Sequence, residues 1–323
     1  MASKQAVTLS QGPLLTVSNE ALLLAVPNVS EGRDAARVAA IGKAFVGAGA
    51  RLLDIHADPD HHRSVYTLAG EPHTLSHALL AGASLALERI SLADGRGQHP
   101  HVGVIDVAPI VYLREADRGA ACVAALLLGD MLAESLRLPV LLYGELAAGR
   151  TRAQLRSGGT ARLAERIVAG ELRPDFGPAS LHPTAGATLL AARPPLVAFN
   201  LELSPPAGLA EAQTIAAQVR EGGTHGLPGL RALGVPLRHW IDEEPRKREI
   251  GQVSMNVEDP LSLPLRMIVA AVAERARALG ASIAAAELVG LAPSAALDGF
   301  PLELPLRGFD PERHLLENAL RAA

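Results

Sequence analysis

Apolar positions change their period repeatedly along the chain, and the changes outline two similar halves. Residues 21–26 are a short apolar run of strand length. Asn28 and Glu31 have the spacing of a capping box, ahead of a helix that carries Val38, Ile41 and Phe45 on one face. Strands at 51–56 and 63–69 flank a charged turn. Pro72 suits the first turn of a helix that buries Leu75, Leu79, Ala86, Leu87 and Ile90. A strand at 102–107 completes a β-α-β-β-α-β order. A helix at 115–136, a strand at 139–143 and helical pieces near 149–170 extend it.

The second half repeats the order. A strand at 196–203 precedes a helix at 207–221, strands near 230–239 and 249–257, a helix at 262–279 and a strand at 283–290. A last helix is expected over about 311–321. This is a split βαβ pattern, an α+β class in which antiparallel sheets carry helices on one face. The halves share the pattern without a sequence repeat. The Pro-rich stretch 172–195 reads as the boundary between them.

Composition narrows the class. The 323 residues are 49% hydrophobic, enough for two domains or one large one. The single cysteine, Cys122, excludes an internal disulfide and reads as a small buried helix residue. Residues 1–20 form a polar tail without a signal-peptide core, and no segment reaches membrane-spanning length without a charge or breaker. A cytoplasmic protein with no membrane partner is therefore expected. A net charge of −4 argues against nucleic acid as a partner, so anionic ligands would have to meet local arginines.

The densest chemistry lies in GQHPHVGVIDVAP (97–109), where His99 and His101 stand at the mouth of an apolar strand that also carries Asp106. Pro100 biases His99 toward extended backbone, and a buried Asp106 needs a hydrogen-bonding or cationic neighbour. An imidazole so placed suits proton shuttling near neutral pH, or simply caps the strand. HADPDHH (56–62) offers His56, Asp58, Asp60, His61 and His62, a set with zinc-ligand chemistry and one substitution away from a metallo-hydrolase HxHxDH pattern. A solvated charged turn is the other reading of that segment.

The segment around His99 resembles the HPxxGxxDVxP motif of glutamate formimidoyltransferases. The resemblance continues through VPNVSEGRD (26–34), RLLDIHADPDHHRSVYTLAGEP (51–72), LPVLLYGELA (138–147) and RPDFGPASLHPTAGAT (173–188). LVAFNLEL (196–203), GLPGLRALG (226–234), GQVSMNVED (251–259), ELVGLAP (287–293) and GFDPERHLLE (308–317) follow in the family's order. The chain is thus similar to the family over roughly residues 22–323, and the cyclodeaminase fused to some relatives is not expected. The resemblance implies two ferredoxin-like subdomains, at 21–194 and 195–323, with a ligand cleft between them. It also implies transfer of a formimidoyl group from formimidoylglutamate to tetrahydrofolate as co-substrate, with no metal, in a homodimer of histidine degradation.

Residue roles follow the same resemblance. His99 aligns with the family's catalytic general acid/base. Gly177, Pro178, Ala179, Ser180, Leu181, His182, Pro183, Thr184, Ala185 and Gly186 align with its folate-contacting loop, a Gly/Pro-rich connection whose backbone can approach a flat heterocycle. His56, Arg63, His101, Asp106 and Asn256 fall in the substrate-binding blocks, and Arg193 and Arg231 are further carboxylate-binding candidates. Many relatives carry an acid where this chain has His56, arginine where it has His101 and asparagine where it has His62. These departures cluster at the donor side. A formyl-folate-handling transferase, a zinc-dependent hydrolase and a folate binder without catalysis remain the alternatives.

Overall fold

The computed structural model describes residues 21–92, 101–237, 240–241, 244–245 and 250–322. The chain is of mixed α/β class, with two large sheets. The first half runs β1 (Leu23–Ala25), β2 (Asn28–Val29), α1 (Ala35–Gly47), β3 (Arg51–Asp58), β4 (Arg63–Gly70), α2 (Pro72–Arg89), β5 (Ile105–Val107) and β6 (Ile110–Tyr112). It continues with α3 (Arg118–Leu136), β7 (Val140–Leu142), α4 (Arg152–Arg156), α5 (Gly159–Val168), β8 (Thr188–Leu190) and β9 (Ala192–Arg193). Across this sheet, β3 pairs with β4, β4 with both β1 and β2, and these with β6 and β5, all antiparallel. Beyond them β8 and β9 join β5 and β6 in parallel, and β7 closes the edge on β8.

The stretch 172–195 is not as a whole the boundary, because its apolar run at 188–193 enters the first sheet as β8 and β9, and the chain passes from the first sheet to the second at 194–196. No capping box forms between Asn28 and Glu31. Asn28 is committed to β2, pairing with Val65 and Val107, and α1 starts later with Asp34 as N-cap accepting from Arg37 N at 2.9 Å.

In the second half, β10 (Val197–Leu203), α6 (Leu209–Val219), β11 (Leu230–Leu237), a small β12–β13 pair (Trp240–Ile241, Glu244–Pro245), β14 (Ile250–Val257), α7 (Leu265–Ala278) and β15 (Ile283–Val289) follow. The sheet order β11-β14-β10-β15 is antiparallel throughout, and β16 (Leu306–Arg307) adds in parallel to β15. The predicted last helix is two helices, α8 (Pro311–His314) and α9 (Leu316–Ala322), because Leu315 is extended.

Helices α1, α2 and α3 bury Ile41, Phe45, Leu75, Leu79, Leu128 and Leu132 against the first sheet, each such side chain contributing roughly 1.5–3 kcal/mol. Glu115–Leu136 is long and apolar enough to cross a membrane by length and composition, although Gly129 and Asp130 interrupt its apolar run. In the fold its Ala121, Ala124, Ala125, Leu128 and Leu132 are core residues. Cys122 sits on this helix half-buried, and burial pushes its thiol up. The expectation of helices on one face also needs correcting. Leu141 and Leu189, which alternate with Val140, Leu142 and Leu190, meet Leu155, Leu163 and Ile167 of α4 and α5 on the opposite face. Helices α6 and α7 cover the second sheet through Ile215, Val219, Ile268 and Val272.

Parts of both sheets remain free of their own helices, and these faces meet. Helix α9 crosses between them: Leu316 packs on Leu24, Ala69 and Val111, and Arg51 Nη2 donates to the Leu320 carbonyl at 2.7 Å.

Candidate functional site

Strand alternation decides what the two facing surfaces present. On β4, Arg63, Val65 and Thr67 point away from Tyr66 and Leu68, which lie in the helix-covered core. On β10 and β14, Ala198, Asn200, Ser254 and Asn256 point away from Phe199, Leu201 and Val253 in the second core. Between them lies a recess of about 980 Å³ of atom-free space, part of it open to solvent. Residues of both halves line it.

Its defining feature is positive charge. Arg63, Arg152, Arg156 and Arg193 all line this one recess. Arg152 and Arg156 lie four apart on α4 and so share a helix face. That short helix is fixed by a capping box between Thr151 and Gln154. Arg152 stands over the Tyr143 ring at 5.7 Å from its centroid. Burial pulls the Arg63 guanidinium down to about 10, with Arg156 adding to the effect and Asp106 opposing it. Burial likewise lowers Arg193 to about 10, opposed by Tyr143. Both stay charged at neutral pH. The Nε atoms of Arg156 and Arg193 are buried with no hydrogen-bond partner among the described residues. Concentrated cations with unspent donors make an anion site.

Asp106, 1% exposed, has the two partners its burial requires. Its carboxylate accepts from Val102 N at 2.9 Å and is ion-paired with Arg156. It is thereby spent on tying the start of its strand to α4. His99 lies outside the described residues. Both flanks of its segment are anchored to the loop 177–186: Leu92 N donates to Thr184 O, and Val104 N to Ala185 O, each at 2.9 Å. Ala187 N returns a bond to Val102 O at 3.0 Å. The approach depends on Gly186, whose φ is +70° and whose Cβ, if present, would lie 2.1 Å from the Val102 carbonyl. Within the loop, His182 Nδ1 accepts from Ala185 N at 3.1 Å. None of Gly177, Pro178, Ala179, Ser180, Leu181, His182, Pro183, Thr184, Ala185 and Gly186 lines the arginine recess. The loop flanks the other end of the same strand.

The remaining sequence-derived residues are dispersed. Arg63 and Asn256 line the recess. His56 faces Glu287 across the halves, Nε2 to Oε1 3.6 Å. The His101 carbonyl accepts from Thr160 Oγ1 at 3.3 Å. Arg231 is about half exposed and pairs with Glu221 and Glu258, both at 3.0 Å, outside the recess. Arg152 and Arg156 were not anticipated, although the T-x-x-Q capping signature and the four-residue spacing were present in TRAQLR.

Among the described residues the 56–62 cluster does not converge. His61 Nδ1 is hydrogen-bonded to Asp58, His62 Nδ1 lies 3.5 Å from Glu31, and His56 faces Glu287. Asp58 also accepts from the backbone of Asp60 and His61, at 2.8 and 2.9 Å, closing the turn between β3 and β4. Burial pushes the Asp58 carboxyl up, but the hydrogen bonds and charge of His61 outweigh it and hold it at about 2. A folded-state pKa below the ordinary 3.8 adds stability above about pH 4 that is lost as pH falls through about 2. The difference corresponds to about 2 kcal/mol. Asp58→Asn should therefore lower stability to urea at pH 7 by that order and converge on the wild type near pH 2. Parallel stability curves across that window would contradict the assignment.

Comparison with known proteins gives a single direction. The profile "Formiminotransferase domain, N-terminal subdomain" matches residues 22–193, and "Formiminotransferase domain" matches residues 198–299. The glutamate formimidoyltransferase of Streptococcus pyogenes serotype M1 is 32% identical over 300 residues, 91% of this chain and 97% of its own. That of Thermoplasma acidophilum is 33% identical over 309 residues, 94% of this chain and 98% of its own. The formimidoyltransferase-cyclodeaminase of Rattus norvegicus is 35% identical over 280 residues, 85% of this chain. The aligned region spans about half the length of that relative, 51%.

Proposed function

The chain belongs to the formiminotransferase family, and from this premise we propose that it moves a formimidoyl group from N-formimidoyl-L-glutamate to tetrahydrofolate. One observation carries the proposal: Arg63, Arg152, Arg156 and Arg193 meet in a single recess between the halves, two of them with unspent buried donors. The donor brings two carboxylates and the folate tail brings more, and guanidinium groups suit them.

On this reading each half is a ferredoxin-like subdomain, 21–194 and 195–323, and the recess is the ligand cleft. The antiparallel strand orders β5/β6–β1/β2–β4–β3 and β15-β10-β14-β11 support it. The loop 177–186 takes the folate ring, and the arginines with Asn256 take carboxylates. A secondary ring amine of the folate attacks the imidoyl carbon and loses its proton, and the glutamate nitrogen gains one as its bond to that carbon breaks. His99 accepts the first proton and delivers the second. Proton transfer suffices for this step, so no metal is assigned a role. The assembly and compartment that go with the reading are a homodimer in the cytoplasm, acting in histidine degradation.

Reduced folate should stabilise the native chain by mass action, by about 2.7 kcal/mol at a hundred times Kd. The check is the melting temperature with and without tetrahydrofolate. A rise is expected, and no rise at saturating folate would remove the folate reading. A zinc-dependent rise abolished by chelator would promote the hydrolase alternative.

A further inference from the structure

Beside the arginine recess the two halves leave a second one, with about 550 Å³ of atom-free space, part of it open to solvent. Its walls have the opposite character. Asp58 comes from the end of β3, Asp60 from the turn after it, Gln252 from β14 and Glu287 from β15, and among the described residues no Lys or Arg lines it. Asp58, held at about 2, is ionised at neutral pH.

Gln252 is the residue that points to a ligand. It is 0% exposed, it lines the recess, and neither its Oε1 nor its Nε2 has a hydrogen-bond partner among the described residues. Buried amides are normally satisfied, and this one lacks both an acceptor and a donor partner among the described residues. Glu287 is positioned beside it by Asn200 Nδ2, which donates to Oε2 at 2.9 Å, while Oε1 faces His56. Asn200 also lines the arginine recess, so Glu287 stands at the junction of a cationic and an anionic compartment.

We infer that the second recess binds a planar N–C–N cation, an amidinium or guanidinium, with Glu287 countering its charge and Gln252 hydrogen-bonding its nitrogens. The inference deepens the proposed function and rests on it for the identity of the natural ligand. A formimidoylamino group is protonated at neutral pH and has this shape and charge. The donor would then lie across the junction, its carboxylates among the arginines and its amidinium head against Glu287. Two parallel N–H groups on a planar cation match a carboxylate's two oxygens, which a spherical cation of equal charge cannot do.

The test is calorimetric titration of the full chain with acetamidinium chloride, and with tetramethylammonium chloride as a cation without N–H groups. Wild type should bind the first and not the second. Glu287→Gln, which keeps shape, and Gln252→Leu, which fills the same space without polar atoms, should each weaken acetamidinium binding by about tenfold or more. With N-formimidoyl-L-glutamate as donor, the same variants should raise the donor KM and leave the tetrahydrofolate KM unchanged. Absence of acetamidinium binding by wild type, or equal binding by wild type and both variants, overturns the inference. Binding that the variants lose, in a wild type that transfers nothing from formimidoylglutamate, supports the recess and discards the proposed donor.

Discussion

Replacing His99 with alanine should lower formimidoyl transfer by about two to four orders of magnitude and leave reduced-folate binding nearly unchanged. In the proposed reaction the imidazole acts mainly on the transition state, where one proton leaves the attacking amine and another reaches the glutamate nitrogen. Its loss should therefore fall on kcat, with the proposed binding of both substrates by the loop 177–186 and the arginines retained. His101→Ala should cost less, since that residue is held through its carbonyl by Thr160. His56→Ala should alter the donor KM and not that of folate, because His56 faces Glu287 and is remote in sequence from the loop. Steady-state kinetics with direct folate binding separate these outcomes. Near-normal transfer by His99→Ala with a dead His101→Ala would move the general acid/base to His101, and activity in both would refute the proton-shuttle account.

Arg193→Met should raise the donor KM by about ten- to a hundredfold, the span expected for losing a charged hydrogen bond, with kcat little changed. Stability should not fall with it. Burial already penalises this guanidinium, its Nε has no partner among the described residues, and exchanging a buried charge for an apolar side chain of similar volume is often neutral or stabilising. A lower melting temperature with an unchanged KM would make Arg193 structural. Arg156 behaves differently, because removing it also strands the buried Asp106 carboxylate.

The order of elements was legible because long amphipathic segments advertise their period. Helix α2, with Pro72 at its start and Leu75, Leu79 and Ala86 on its buried face, follows directly from sequence. The expected strand at 51–56 extends only to Asp58, and that at 63–69 to Gly70. What failed was non-local. Nothing in the run at 188–193 says that it pairs in parallel with β5 and β6 some eighty residues earlier. That pairing put two strands inside the expected boundary stretch. Asn28 had a cap's spacing, yet sheet pairing on both sides claimed it.

The site was legible in part. Arg63 and Asn256 stood in recognisable blocks and do line the recess. Arg152 and Arg156 belong to a five-residue helix, too short for periodicity to announce a face. Asp106 was flagged by its burial, and the structure shows how that burial is met, through Val102 N and Arg156. The convergence of four arginines is a property of two sheets meeting, and no local stretch contains it. The 56–62 cluster shows the reverse case. Neighbours in sequence on a turn, its histidines look toward Asp58, Glu31 and Glu287.

The central claim is the reaction itself. The purified full chain is incubated with tetrahydrofolate and N-formimidoyl-L-glutamate, and formimidoylated folate and free glutamate are followed together. The account predicts equal amounts of both, formed catalytically, with N-formyl-L-glutamate a poor substitute for the donor. Saturable folate binding without any transfer from formimidoylglutamate, or preferred turnover of the formyl donor, would contradict it.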